Sequence, residues 1–194
     1  MATRPPEVVL VRHGETEWSR SGKHTGSTDV QLTDLGREQA TALGGELHGR
    51  RFELVLTSPL ERAAETCRLA GYGDVAQRRD DLREWDYGPY EGRTTPEIRE
   101  ERPGWTLWRD GVPGGETDAA VGGRADRVIA ELRSLTGDAA LFAHGHVLRV
   151  LTARWLGLEP RDGRLFALDT ATISVLGYER ETAVIRVWNA LHVA

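Results

Sequence analysis

The 194-residue chain has one cysteine, one methionine and a single lysine, Lys23. With Cys67 alone no disulfide forms within the chain, which excludes a disulfide-stapled extracellular scaffold and points to a reducing, cytoplasmic setting. Long apolar runs are missing as well. The first, Val8 to Val11, is too short for a signal-peptide core, and no later stretch approaches the roughly 20 residues of a membrane span. There is also no basic block. The 25 Lys+Arg are outnumbered by 30 Asp+Glu, and a net charge of −5 repels a phosphodiester backbone, so neither nucleic acid nor membrane is an expected partner. A locally positive cleft still attracts a small anion. Because arginine is the ordinary cation here, any one arginine carries information only through its position.

What is present fits one domain over residues 1–194, long enough to bury a full core. Glu7 to Val11 is a continuously apolar, β-branched run, as in a central strand buried on both faces, and it stops at Arg12-His13-Gly14. The polar stretch from Gly14 to Gln31 reads as loop. Thr33 caps a helix with Leu35, Leu43 and Leu47 on one face, and Leu54 to Leu56 is a second strand. Ser58-Pro59-Leu60-Glu61 then has the pattern of an N-cap, a first-turn proline and a capping-box acid. A weak strand near Val75 to Gln77, an aromatic loop from Leu82 to Arg93, and a short helix from Thr95 follow. A helix from Thr117 to about Ser134 leads to the apolar strand Ala139 to Ala143, then His144-Gly145-His146 and a helix from Val147 to Trp155. Two strands, Thr172 to Tyr178 and Ala183 to Trp188, close the chain.

This alternation predicts a three-layer α/β/α fold with a mostly parallel central sheet, in which ligands bind beyond the carboxyl ends of the strands. Three strands end in reactive clusters: Arg12-His13-Gly14, Thr57-Ser58 with Arg62 a turn later, and His144-Gly145-His146. Parallel strands bring all three to one edge. Two arginines, two histidines and helix-start N–H groups form an anion site suited to a phosphoryl group. The usual nucleophile signatures are absent: no C-x5-R follows Cys67, no D-x-D follows a strand, and there is no G-x4-G-K-[ST]. A neutral imidazole is a competent nucleophile at pH 7, so His13 or His144 is the candidate acceptor, the other stabilising the transition state.

The run Leu10-Val11-Arg12-His13-Gly14-Glu15-Thr16-Glu17-Trp18 resembles the signature of the histidine phosphatase superfamily, the phosphoglycerate-mutase-like proteins. The resemblance continues through Thr25-Gly26, Leu32-Thr33-x-x-Gly36, Ser58-Pro59-x-x-Arg62-Ala63, Leu82-x-Glu84, Gly115-Glu116-Thr117 and His144-Gly145-His146. It implies that His13 is phosphorylated, that Arg12, Arg62 and His144 clasp the phosphoryl oxygens, and that Glu84 is the general acid and base. It also implies phosphate or substrate contacts from Ser19, where many relatives carry Asn, and from Thr25, Gly26 and Gly145. No cofactor and no metal are implied.

Bland alternatives bear on several of these residues. His144-x-His146 with His13, Glu15 and Glu84 has the composition of a divalent-metal site, which two neighbouring arginines oppose. His146 reads as a structural helix start, and His24, His48 and His192 as surface residues. Trp85, Tyr87, Tyr90, Trp105 and Trp108 read as core and lid packing, with one of them touching substrate. Lys23, His24, Arg93 and Arg102 are the candidates for a second phosphate. The segment from Glu84 to Glu116 is short beside that of mutases, and the stretches around Trp85 and Trp108 resemble small acid phosphatases and the sedoheptulose-bisphosphatase-like branch. The expected activity is metal-independent hydrolysis of a small phosphorylated metabolite, a sugar phosphate foremost, by a monomer or homodimer. The alternatives are a phosphoglycerate-mutase-type phosphotransferase and a non-catalytic phospho-ligand binder.

Overall fold

In the computed structural model, which describes residues 5–191, the sheet has the order β3-β2-β4-β1-β5-β6. Its members are β1 (Val8–Arg12), β2 (Leu54–Thr57), β3 (Gln77–Arg78), β4 (Ala139–Ala143), β5 (Thr172–Glu179) and β6 (Thr182–Leu191). The first four run parallel, and the terminal hairpin adds two antiparallel edge strands beside β1. Alternate side chains feed two cores. Val8 and Leu10 of β1 face one side, with Leu141 of β4, whereas Val9 and Val11 face the other, with Phe142. Helices α2 (Asp34–Glu46) and α3 (Glu61–Leu69) cover the second face. The first is covered by α6 (Asp118–Arg133) and α7 (Gly145–Trp155), together with Trp85, Tyr87, Tyr90 and Trp105 from the aromatic segment. The expected α/β/α layering is what forms.

The register places the site. Arg12 pairs with Ala143 and Thr57 with Phe142, so the chain leaves β1, β2 and β4 at nearly one level. Two glycines then let the segments after β1 cross. A Cβ on Gly14 would stand 2.3 Å from the Gly36 carbonyl oxygen, and one on Gly36 would stand 2.1 Å from that of Glu15, so neither position admits a side chain. That close approach turns Gly36, Ala40 and Leu43 of α2 inward and leaves Leu35, expected in the core, half exposed.

Three local expectations are corrected. The polar stretch after Gly14 contains α1 (Glu17–Ser21), opened by a reciprocal cap in which Thr16 Oγ1 accepts from Ser19 N and Ser19 Oγ from Thr16 N, at 3.0 and 2.9 Å. Ser58 does not cap α3. Leu60 is the N-cap, and Ser58 Oγ accepts instead from His144 Nε2 at 2.8 Å. Helix α7 begins at Gly145, two residues earlier than expected, because a carboxylate from outside the helix satisfies its first N–H groups. The brief helix expected from Thr95 is α4 (Thr95–Glu101), and short helices not expected from the sequence also form: α5 (Leu107–Asp110) and 3-10 segments at Asp80–Leu82, Gly88–Tyr90 and Pro160–Leu165. No helix of the described residues is long and apolar enough to cross a membrane.

Candidate active site

A cavity of about 180 Å³ opens beyond the ends of β1 and β4, lined by Arg12, His13, Ser19, Thr25, Glu84 and Gly145 from the expected set. His13 is buried, and its Nδ1 lies 2.7 Å from the Gly14 carbonyl oxygen. A carbonyl only accepts, so Nδ1 carries the proton and Nε2 keeps its lone pair. Burial, then Arg62 and Arg12, hold the His13 pKa well below the usual imidazole range, so the ring is neutral at pH 7. Arg12 gives one guanidinium nitrogen to the Leu168 carbonyl, while its buried Nε has no hydrogen-bond partner among the described residues. Gly145 makes room for it: a Cβ there would stand 3.3 Å from the guanidinium carbon.

Arg62 and His144 sit behind this wall and do not line the cavity. Both are fully buried and turned toward each other. Arg62 Nε donates to His144 Nδ1 at 3.1 Å, and its terminal nitrogens donate to the carbonyls of Thr28, Thr25 and Gly26 at 2.9–3.1 Å. Since Nδ1 accepts, His144 carries its proton on Nε2 and gives it to Ser58. Thr66, one turn after Arg62, accepts from Gly14 N and donates to the Arg62 carbonyl, joining this rear layer to the loop that holds His13. Burial, followed by the charge of Arg62, keeps His144 neutral well below its usual pKa.

Glu84 reaches the cavity from the aromatic segment. Its Oε1 accepts from Trp85 N and Val147 N, and its Oε2 from His146 N, each at 2.9 Å. The carboxylate thereby caps α7, the helix that also supplies Gly145, and a negative charge at a helix start is favoured by the helix dipole. The same side chain borders a second cleft of about 490 Å³, whose wall sets Asp80, Asp81, Asp86 and Glu116 against Arg83 and Arg124, a net negative lining.

The other expected residues divide. Ser19 and Thr25 line the cavity, whereas Gly26 does not: a Cβ there would stand 2.7 Å from the Trp85 carbonyl oxygen, and its N–H goes to Glu91. Glu91 also takes Thr28 N and Ser27 Oγ, organising the loop that feeds carbonyls to Arg62, a role the sequence did not signal. His24 is not a surface residue. It lines the cavity, stacks near Tyr87 and Trp105, and burial lowers its pKa to about 4. His48 is exposed as expected, and His192 lies outside the described residues. The His146 ring also reaches the cavity, where its Nδ1 shares a 2.6 Å hydrogen bond with Tyr87, the aromatic residue that lines it. Lys23 is in place as a cavity cation, but Arg93 and Arg102 are engaged elsewhere, with Glu101 and Tyr90. Arg149, not anticipated, takes their place; its position four residues after Gly145 on one helix face was the available signal.

The metal-site grouping is not assembled. His144 faces Arg62 and Ser58, and Glu15 accepts from Thr33 Oγ1 at 3.0 Å; among the described residues no three His, Cys, Asp or Glu side chains converge as metal ligands.

The family model of the histidine phosphatase superfamily (branch 1) matches residues 8–191. The acid phosphatase of Mycobacterium tuberculosis is 45% identical over 194 residues, spanning 95% of this chain and 94% of that protein. Sedoheptulose 1,7-bisphosphatase of Saccharomyces cerevisiae is 39% identical over 191 residues, spanning 81% of this chain and 70% of that one. The solved structure of an open reading frame product of Mycobacterium tuberculosis superposes with a TM-score of 0.91 at 40% identity, covering 97% of this chain and 99% of that one. The chain belongs to branch 1 of the histidine phosphatase superfamily and is a phosphatase of that superfamily.

Proposed function

We propose that the enzyme hydrolyses small phosphomonoesters, sugar phosphates foremost, without a metal and through a phosphohistidine at His13. One observation carries the reading: a buried imidazole with a free Nε2 lone pair shares a small cavity with the Arg12 guanidinium, whose Nε has no hydrogen-bond partner among the described residues. An unpaired buried donor is costly, and a phosphoryl oxygen is its natural acceptor.

In the first step His13 Nε2 attacks phosphorus and the bond to the ester oxygen breaks, with Glu84 giving its proton to the departing alkoxide. Oε2, which has one backbone donor against two on Oε1, keeps the lone pair that carries this proton. In the second step Glu84 takes a proton from water, the hydroxide attacks phosphorus, and the P–N bond electrons return to His13. Arg12, with Ser19 and Thr25, holds the phosphoryl oxygens throughout. Arg62 acts from behind, adding positive charge, and with His144 fixes the loops that carry Thr25 and His13. The sugar-phosphate preference is supported by the polar and aromatic wall of His24, Tyr87 and His146, and by the likeness to a sugar bisphosphatase. A cytoplasmic site of action is supported by the unpaired, buried Cys67.

The test is hydrolysis of p-nitrophenyl phosphate and a panel of sugar phosphates with EDTA present throughout, by wild type and His13→Ala. Turnover in wild type, a loss of about 10³-fold or more in the variant, and an acid-labile phosphoenzyme that the variant lacks are expected. An inactive wild type, or a variant that keeps its activity, overturns the mechanism.

A further inference from the structure

We infer that Arg124 and Glu116 form a positioning pair for the general acid: they grip the chain on both sides of Glu84 and so set its carboxylate against the leaving-group oxygen. The inference rests on the reading of Glu84 as acid and base given above.

Residues 83–87, between the 3-10 segments at Asp80–Leu82 and Gly88–Tyr90, belong to no helix and no strand. The backbone that carries the acid is therefore held by other means. Arg124, on α6, meets Glu116 as a two-pronged pair, with Nε on Oε1 at 2.7 Å and one terminal nitrogen on Oε2 at 2.8 Å. Its other terminal nitrogen donates to the carbonyls of Asp81 and Arg83, just before Glu84, at 2.6 and 2.9 Å. Glu116 takes the other side. Its carbonyl accepts from the Trp85 indole N–H at 2.8 Å, and its own N–H donates to the Asp86 carbonyl at 3.0 Å. A Cβ on Gly115 would stand 2.5 Å from that Asp86 oxygen, so the two stretches are in direct contact.

The hydrogen bonds of Arg124 end on this segment or on Glu116, and the two side chains are only 14% and 18% exposed, so water and salt screen the pair little. Arg127, three residues later on α6, adds a pair with the Asp81 carboxylate. Helix α7 holds the other end of the acid through His146 N and Val147 N. Thus α6 sets where the backbone of Glu84 stands, and α7 sets where its carboxylate points. Neither Arg124 nor Glu116 lines the catalytic cavity, so the pair reaches the substrate through Glu84.

The first step makes this grip selective. An alkoxide leaves with the proton that Glu84 delivers as the P–O bond breaks, whereas a nitrophenolate leaves as the anion and needs none. A displaced acid therefore slows transfer from a sugar phosphate and spares transfer from p-nitrophenyl phosphate. The second step, in which Glu84 takes a proton from water, is common to both esters.

The experiment measures kcat/KM, which reports the first step, for p-nitrophenyl phosphate and for the sugar phosphate turned over fastest in the panel above, in wild type, Arg124→Met, Arg124→Lys and Glu84→Gln. In Arg124→Met, kcat/KM is expected to fall roughly 10- to 100-fold on the sugar phosphate and no more than about threefold on p-nitrophenyl phosphate, with phosphoenzyme accumulating on the latter. Arg124→Lys keeps the charge without the fork and recovers part of the ratio. Glu116→Gln, which leaves its backbone contacts to Trp85 and Asp86 in place, shows the same ratio in smaller measure should Arg124→Met not fold. Equal losses on the two esters, the mark of a lower folded fraction, overturn the inference, and so does no loss on either. If Glu84→Gln itself shows no such ratio, the acid assignment falls and the inference with it. A wild type that turns over neither ester overturns the phosphatase reading instead.

Discussion

The front and rear of the site use the same residue types to opposite ends. At the front, Arg12 keeps a buried Nε idle and His13 keeps an unshared lone pair. At the rear, Arg62 spends its Nε and both terminal nitrogens on three carbonyls and a ring nitrogen, and His144 commits both nitrogens. An active group must retain unsatisfied valence toward the substrate, whereas a positioning group is most useful when it has none left. The rear layer thereby lends its charge and its rigidity, and the front layer does the bonding.

Exchanging the two arginines for methionine in turn is the strongest way to break this division. Arg12→Met is expected to fold and to lose about 10²- to 10³-fold in kcat, the usual cost of removing a donor aimed at developing charge. Arg62→Met strands the carbonyls of Thr25, Gly26 and Thr28 and the Nδ1 of His144 inside the protein. A destabilisation of about 3 kcal/mol follows, seen as a melting point lower by roughly 10 °C. If Arg62→Met melts normally and fails only in catalysis, the rear layer belongs to the chemistry and the contrast collapses.

Gly145→Ala probes the front alone. The new Cβ would meet the Arg12 guanidinium at 3.3–3.4 Å, tight enough to shift it by a few tenths of an ångström. Displacing a preorganised group by that much is expected to cost about tenfold in kcat/KM, with the melting point nearly unchanged. A normal kcat/KM would show that Arg12 has slack, and that its idle Nε is not held against anything.

Much of this was legible because it follows from strand ends. The run Glu7 to Val11 and the run Ala139 to Ala143 announce central strands, and the residues after them are fixed at one edge by parallel register alone. The division into front and rear was not legible. Nothing in the order Ser58-Pro59 says that the hydroxyl will serve His144 instead of capping α3, since that choice depends on a residue 86 positions away. Likewise the cap expected at Thr33 forms, but the cap of α7 comes from Glu84, 62 positions before His146. His24 was misplaced because a lone histidine in a polar loop carries no sign of the aromatic wall that later surrounds it.

Acid separates activity from stability. His13, His24, His144 and His146 are all held neutral by burial, with pKa values below their unfolded value of about 6.5. Above pH 6.5 neither state binds these protons, so they leave stability untouched. As the pH falls below 6.5 the unfolded chain takes up protons that the fold refuses, and each histidine costs up to about 1.4 kcal/mol per pH unit until its folded pKa is reached, near 4 for His24. Between pH 6.5 and 5 the melting point should therefore fall while kcat, which needs neutral His13, holds. A kcat that drops with a midpoint near 6.5 would mean that the His13 ring is not desolvated as described.

The smallest effect tests whether position, and not the abundance of arginine, defines the front. Arg93 was a sequence candidate for substrate phosphate, yet its guanidinium is clasped by both oxygens of Glu101 at 2.8 and 3.1 Å and by the Glu97 carbonyl at 3.0 Å. It lies over Tyr90, whose own ring is in the core, and so faces α4 and solvent instead of the cavity. An exposed pair of this kind contributes little, because water screens both charges and holding two long side chains still costs entropy. Arg93→Ala should leave kcat/KM within about twofold on mono- and bisphosphates alike, a change no larger than that expected for a surface substitution. A selective loss on bisphosphates would instead bring Arg93 into contact with substrate, and would require the loop from Glu91 to Thr95 to swing its arginine away from Glu101 during turnover.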